Sequence, residues 1–320
     1  MDYLPWIEKY RPTNINEIIS HDYNIQTIKK LISSKSLPHL LFYGAPGTGK
    51  TSTIMAIAKE IYGNHTKLMV MKLDASDDRG INSVRDDIKG FAEKSNMFHK
   101  GVRLIILDEA DAMTFDAQFA LRKIIEKYSS SIRFTLICNY ENKIIPAIKS
   151  RCANFRFSNI DNINISHKLK YICNNENIIC NNDIIDTITY LSRGDLRKAI
   201  NLLQSVYLQH NTCIITKELC YDIAGIPSYQ IINNILELLY DKNHNFDMVY
   251  KVINDLITNQ GYSLYTLLKE ILLVIINNDD FLSNSIKIIS DMGTLEEMVT
   301  KSTFSDIYIS YFVSIFKKNV

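Results

Sequence analysis

Leu40-Leu41-Phe42-Tyr43-Gly44-Ala45-Pro46-Gly47-Thr48-Gly49-Lys50-Thr51-Ser52 decides the fold. The four leading residues are an apolar run of the kind that forms a buried strand. Gly44 to Thr51 then match G-x-x-x-x-G-K-[ST], a loop whose backbone N–H groups close around phosphate oxygens. Lys50 is suited to the outer phosphates, and Thr51 offers a hydroxyl to Mg²⁺. Behind the loop, Ile54, Ile57, Ala58 and Ile61 recur at helical spacing, so a helix N-terminus points at the phosphates. Strand, glycine loop and helix together predict an α/β nucleoside-triphosphate site.

Working outward, apolar stretches at 39–43, 68–73, 103–107, 133–138 and 153–157 alternate with amphipathic segments. One such segment starts at Ile81, with Val84, Ile88 and Phe91 along its stripe. Alternation of this kind predicts a parallel sheet spanning residues 1–158. From 159 to 225 the strand signal fades, and Ile188, Leu191, Leu196, Ile200 and Leu203 mark a small helical unit. Gly225-Ile226-Pro227-Ser228 is a breaker cluster. Residues 226–320 read as helices, with Ile231, Ile235, Leu238 and Leu239 on one stripe. Three domains are therefore expected: 1–158, 159–225 and 226–320.

Further residues bear on chemistry. Arg103-Leu104-Ile105-Ile106-Leu107 delivers Asp108 and Glu109 to the end of a strand. Asp108 suits Mg²⁺, directly or through water, and Glu109 suits a general base that orients water. The alternative is a solvated acidic turn. Asn139 ends the next apolar strand, where it could bond attacking water or a γ-phosphate, or merely turn the chain. Arg151, in Ser150-Arg151-Cys152, reads equally as a surface ion-pair partner or as an arginine finger. Arg197, in Gly194-Asp195-Leu196-Arg197, could lie on a helix surface or fold onto nucleotide. Arg85 and Lys89 are helix-face neighbours, with Arg79 just ahead of them, and such a face can follow a phosphate backbone or simply be solvated.

Composition limits the alternatives. At 320 residues, with 46% hydrophobic and 22% charged side chains, the chain has the balance of a globular protein with more than one core. No apolar stretch is long enough to span a bilayer, and Met1 to Trp6 lack the pattern of a secretion signal. A formal charge of +1 creates no global field for nucleic acid, although a local basic stripe remains open. Cys138, Cys152, Cys173, Cys180, Cys213 and Cys220 are scattered, as buried thiols are, rather than spaced for zinc or disulfides.

The combination of Trp6-Ile7-Glu8-Lys9-Tyr10-Arg11-Pro12, the P-loop, Asp74-Ala75-Ser76-Asp77-Asp78-Arg79-Gly80, Leu107-Asp108-Glu109-Ala110-Asp111, Ser150-Arg151-Cys152 and Gly194-Asp195-Leu196-Arg197 resembles the small subunits of replication factor C, the AAA+ clamp loader of eukaryotes and archaea. The strings Ile106 to Thr114 and Leu136 to Tyr140 are similar to the branch called subunit 3 in yeast and subunit 5 in humans. The resemblance implies an AAA+ domain, a helical lid and an all-helical collar that holds five subunits in a ring. It implies ATP and Mg²⁺ as cofactors, ATPase activity within a hetero-pentamer, a sliding clamp and primer–template DNA as partners, and a nuclear location.

Residue roles follow from the same resemblance. Ile7, Arg11 and Ile19 would line the adenine and sugar side, and Gly44, Ala45, Pro46, Gly47, Thr48, Gly49, Lys50, Thr51 and Ser52 would cradle the phosphates. Asn139 matches the first sensor, Arg197 the second, and Arg151 the finger that acts in trans on a neighbouring subunit's site. Arg79, Arg85 and Lys143 would follow the template strand. Ala45 stands where the family usually has Pro, a position that needs no side-chain chemistry. Two other readings remain open: a mainly structural ring member that turns over little ATP, and a branch-migration type of motor. The motor reading predicts a C-terminal winged helix, whereas 226–320 reads as all-helical.

Overall fold

The computed structural model describes residues 4–34, 36–75, 80–93, 102–178, 180–209, 215–241, 243–278, 286–301 and 306–319, without the side chains of 80–85, 93 and 319. It divides into two compact units, Met1–Tyr207 and Leu208–Val320.

The first unit is built on five parallel strands: β1 (His39–Gly44), β2 (Val70–Asp74), β3 (Arg103–Asp108), β4 (Ile132–Cys138) and β5 (Cys152–Phe157). Their order is β2-β3-β4-β1-β5, which places β1 beside β4 and β5. Continuous apolar runs form these strands because both faces of the sheet are covered. The period-two alternation of a strand then divides the run into two cores. Leu40, Phe42, Leu104 and Ile106 face one core with Ile54 and Ile57, and Leu41, Ile105, Leu107 and Leu136 face the other with Leu121 and Ile125. Leu40, Leu41 and Phe42 are fully buried, each contributing roughly 1.5–3 kcal/mol through lost apolar exposure.

Helices of the first unit run in chain order as α1 (Trp6–Lys9), α2 (Asp22–Ser33), α3 (Lys50–Tyr62), α4 (Thr66–Met69), α5 (Gly80–Glu93), α6 (Phe115–Tyr128), α7 (Pro146–Lys149), α8 (Asn162–Asn175), α9 (Asn182–Ser192) and α10 (Leu196–Gln209). The strand expected at 68–73 begins later than its apolar start, because Leu68 and Met69 close the short α4 before β2. Leu68 is exposed and Met69 buried, a helical rather than a strand-like pairing with the core.

Described by itself, the second unit is helical: α11 (Lys217–Ala224), α12 (Tyr229–Tyr240), α13 (Phe246–Thr258), α14 (Leu264–Asn277), then Ile286–Lys301 and Asp306–Asn319. Gly225, at φ +64°, caps α11 in the left-handed conformation, which glycine adopts at little cost. On α12 the core stripe is Ile232, Ile235, Leu236 and Leu239, with Ile231 and Leu238 only partly buried. The stripe expected at Ile231, Ile235, Leu238 and Leu239 is thus rotated by about one position, since several apolar neighbours compete for the same face.

Candidate nucleotide-binding site

The carboxyl ends of β1, β3 and β4 lie side by side at one edge of the sheet, the place where open α/β sheets bind ligands. A cleft of about 250 Å³ opens there. The P-loop from Pro46 to Ser52 forms one wall, Asp108, Glu109 and Asn139 form another, and Ile7, Arg11, Leu196, Arg197 and Ile200 close it.

Two glycines in the loop resist substitution. A Cβ on Gly44 would sit 2.0 Å from the Phe157 carbonyl oxygen, and one on Gly47 (φ +70°) would sit 1.7 Å from Asp195 Oδ1. Asp195 is doubly engaged, because its Oδ1 also accepts the Lys198 N–H at 3.0 Å and so caps α10. The Leu196 N–H donates to the Gly47 carbonyl at 3.3 Å, which ties the P-loop to the start of α10.

Lys50 is buried, with 6% of its surface exposed. Its ammonium donates to the carbonyls of Gly44 (2.8 Å) and Ala45 (2.7 Å) and to Asn139 Oδ1 (3.0 Å). Gly44 and Ala45 thus serve through backbone oxygens and do not themselves line the cleft. Burial pulls the ammonium below the ordinary lysine value, opposed by the Asp108 and Asp111 carboxylates, since removal from water disfavours the charged form. Anionic phosphate oxygens are the natural counter-charge for such a group.

The Thr51 hydroxyl donates to Asp108 Oδ2 at 3.1 Å. A hydroxyl and a carboxylate together are the hard oxygen donors that Mg²⁺ takes, so the residues present fit a metal–triphosphate. Next along, Glu109 adopts φ 54°, ψ 38°, a left-handed conformation that costs about 1 kcal/mol or more in a side-chain-bearing residue. Asp111 accepts the N–H groups of Asn139 (3.2 Å) and Tyr140 (3.1 Å), which aims Asn139 at Lys50. Gln118 is buried and donates to the carbonyls of Met113 (3.3 Å) and Lys143 (2.9 Å) while accepting the Ile145 N–H (2.9 Å). It thereby joins α6 to the segment after β4.

The N-terminal segment links the cleft to α8 and α10. Arg11 Nε donates to Ser52 Oγ at 3.5 Å, the Trp6 N–H donates to Gln204 Oε1 at 3.0 Å, and the Tyr10 hydroxyl donates to Glu176. Ile19 lines a separate, larger cavity together with Tyr10, Arg11 and Lys168. Its expected neighbours Ile7 and Arg11 do line the cleft.

Arg151 stands apart from the cleft. Its guanidinium donates to the Ala147 carbonyl at 2.6 Å and pairs with Glu126 at 2.6 Å, while Glu126 also meets Arg122 Nε at 3.2 Å. Lys143 is exposed with its ammonium 5.1 Å from the Tyr140 ring centre. Arg79, Cys213 and the side chain of Arg85 lie outside the described residues. The sequence reading assigned no role to Asp111, Gln118, Asp195, Glu126 or Lys72. Asp111 carries a signal in its place in the acidic run after β3, Asp195 in its place just ahead of a helix and Glu126 in its spacing of four from Arg122; Gln118 and Lys72 act through contacts that no local pattern encodes. Among the described residues no group of three or more His, Cys, Asp or Glu gathers as a metal cluster, and no helix is long and apolar enough to cross a membrane.

A five-stranded parallel sheet with this loop, followed by helical lid and C-terminal domains, is an AAA+ P-loop fold. Three family models match in series: the ATPase family associated with various cellular activities over residues 40–159, the RCF1/5-like AAA+ ATPase lid domain over 167–208, and the replication factor C C-terminal domain over 227–314. Replication factor C subunit 5 of Mus musculus is 43% identical over 315 residues, covering 98% of this chain and 92% of that protein. The Homo sapiens protein of the same name is 42% identical with the same coverage. The chain belongs to the replication factor C small-subunit family. Among solved structures, the Thermotoga maritima RuvB Holliday junction branch migration motor aligns with a TM-score of 0.55 at 15% identity, covering 82% of this chain and 91% of that one. At that identity the likeness speaks for the fold alone.

Proposed function

We propose that this chain is an ATPase subunit of a clamp loader, one of five in a hetero-pentameric ring that opens a sliding clamp and places it on primer–template DNA in the nucleus. The observation that carries the reading is an incomplete site. Lys50, Thr51, Asp108, Glu109, Asn139 and Arg197 share one cleft, whereas the remaining cation of the motif set, Arg151, is held elsewhere by Glu126. A subunit that lends its finger and borrows another fits that division. The relatives named replication factor C subunit 5 and the string Ile106 to Thr114 favour the position of that subunit. We divide the chain functionally at 158 and 225, with 1–158 holding ATP, 159–225 as lid and 226–320 as collar.

In this reading the P-loop amides and Lys50 bind and neutralise the outer phosphates, and Ile7 and Arg11 hold the base and sugar end. Ile19, on the neighbouring cavity, is assigned to that end by the family resemblance alone. Thr51 and Asp108 hold Mg²⁺, which when bound offsets charge on the phosphates. Glu109 and Asn139 orient the attacking water, and Glu109 accepts its proton. Arg197 reports the γ-phosphate to the lid. Catalysis is positioning plus charge neutralisation, with no covalent intermediate. Arg79, Arg85 and Lys143 follow the template backbone, which needs positive groups at phosphate spacing and no base readout.

The test is co-expression with four related subunits. A five-subunit complex whose ATPase rises on adding clamp and primed DNA is expected. Lys50→Ala in this subunit should weaken nucleotide binding at its own cleft by roughly 100-fold, the loss of a charge-assisted pair in a partly desolvated site. A complex that ignores clamp and DNA sinks the clamp-loader reading, and unchanged binding by Lys50→Ala sinks the phosphate assignment. A complex that forms normally yet shows no turnover at this cleft would favour the structural-subunit alternative.

A further inference from the structure

We propose that Lys72 is a positioning residue for the metal edge of the cleft: its ammonium holds the Asp108 carboxylate and, by its charge, makes the site take a divalent cation together with nucleotide rather than alone. The inference rests on reading Thr51 and Asp108 as the metal pair.

Lys72 is the third residue of β2. Register places it opposite Ile106 and places Asp74 opposite Asp108, so its side chain starts two residues below the carboxyl edge and reaches along the sheet. Nζ ends 3.1 Å from Asp108 Oδ2. That is the same oxygen that accepts the Thr51 hydroxyl at 3.1 Å, while Oδ1 accepts the Glu109 N–H at 3.2 Å. An ionised carboxylate has about four acceptor positions. Three are filled here, by donors from α3, β2 and the turn after β3, and that set fixes the plane of the carboxylate.

The charge matters as much as the geometry. A bare divalent cation approaching the Thr51–Asp108 pair meets the Lys72 ammonium already on its ligand. With a separation of about 5 Å and water-like screening, appropriate to a lysine side chain that is 46% exposed, the repulsion amounts to roughly tenfold in affinity. A metal–nucleotide complex carries net negative charge and escapes this penalty. Lys72 therefore biases the order of loading toward the complex and keeps free metal from occupying the cleft.

Mn²⁺ binding to the full chain, followed by electron paramagnetic resonance with and without ATP, tests this. Lys72→Met should raise affinity for free Mn²⁺ about tenfold without nucleotide and change affinity in its presence by less than about threefold. Lys72→Arg should behave as the wild type, because it keeps the charge. Thermal melting checks that each variant folds, with Lys72→Gln as the polar substitute should Met disturb β2. Free Mn²⁺ binding that is the same in wild type and Lys72→Met overturns the proposal. Asp108→Asn is the separate control: if it leaves the Mn²⁺ dependence of ATP binding intact, the metal-pair reading itself is wrong, whatever Lys72 does.

Discussion

Lys50 and Arg151 are both cations of the motif set, and the chain folds them in opposite ways. Lys50 is buried and held by two backbone carbonyls at 2.7–2.8 Å, positions that the sheet and loop make rigid. Arg151 has 36% of its side chain exposed and is held at the surface by the Glu126 carboxylate and the Ala147 carbonyl. A buried ammonium against fixed dipoles is preorganised for a ligand in its own cleft. An exposed guanidinium in a surface ion pair, worth about 0–1 kcal/mol, is cheaply surrendered to something arriving from outside. Under the proposed function, the difference means that one chain carries two half-sites, one finished internally and one left open.

The largest effect should come from the open half. Arg151→Ala in the assembled ring is expected to lower turnover about 10³-fold at the neighbouring subunit's site, the lower end of what an arginine finger supplies. Nucleotide affinity at this chain's own cleft should be unchanged. Single-turnover hydrolysis in rings where the other P-loop lysines are silenced reads each site separately. Loss at the chain's own cleft, or no loss anywhere, breaks the comparison.

A smaller effect should come from the rigidity of the closed half. Gly47→Ala forces a side chain into a left-handed backbone and into Asp195, which would have to release its cap on α10. Strain and cap each cost about 1 kcal/mol, so melting of the first unit should fall by about 4–8 °C. Gly49→Ala is the matched control: φ is +92° but among the described residues nothing lies within 4 Å of where its Cβ would sit, so only the strain remains. Equal melting shifts for the two would mean that Asp195 makes room for the new side chain without losing its cap on α10.

Much of the finished half is legible in the sequence. Strand, glycine loop and helix are local patterns, and burial on both faces makes β1, β3 and β4 stand out as apolar runs. Asn139 and Arg197 could be singled out as candidates, yet their direction depends on Asp111 and Asp195, residues distant in the chain or hidden as a helix cap. The buried stripe on α12 lies one position away from the one the sequence pattern suggests, because in an apolar-rich helix the pattern alone does not say which face is buried. Lys72 gave no signal at all, since an exposed lysine alternating with apolar residues is what any half-covered strand presents.

The finest test concerns how Glu126 treats the finger. Glu126 lies one helical turn after Arg122 on α6 and meets both Arg122 and Arg151, so the acceptor is shared and Arg151 can leave without stranding an unpaired carboxylate. Moving Arg151 to a neighbour's phosphates then costs its share of a surface ion pair and its bond to the Ala147 carbonyl. Glu126→Gln keeps an acceptor of the same shape and removes the charge, which should lower the neighbour's apparent KM for ATP about threefold, with kcat unchanged, from an ion pair of roughly 0.6 kcal/mol. Raising ionic strength screens the pair in the wild type and should narrow the gap between the two proteins. If kcat falls instead while KM stays fixed, Glu126 aims the finger rather than detaining it, and the open half-site is more preorganised than its exposure suggests.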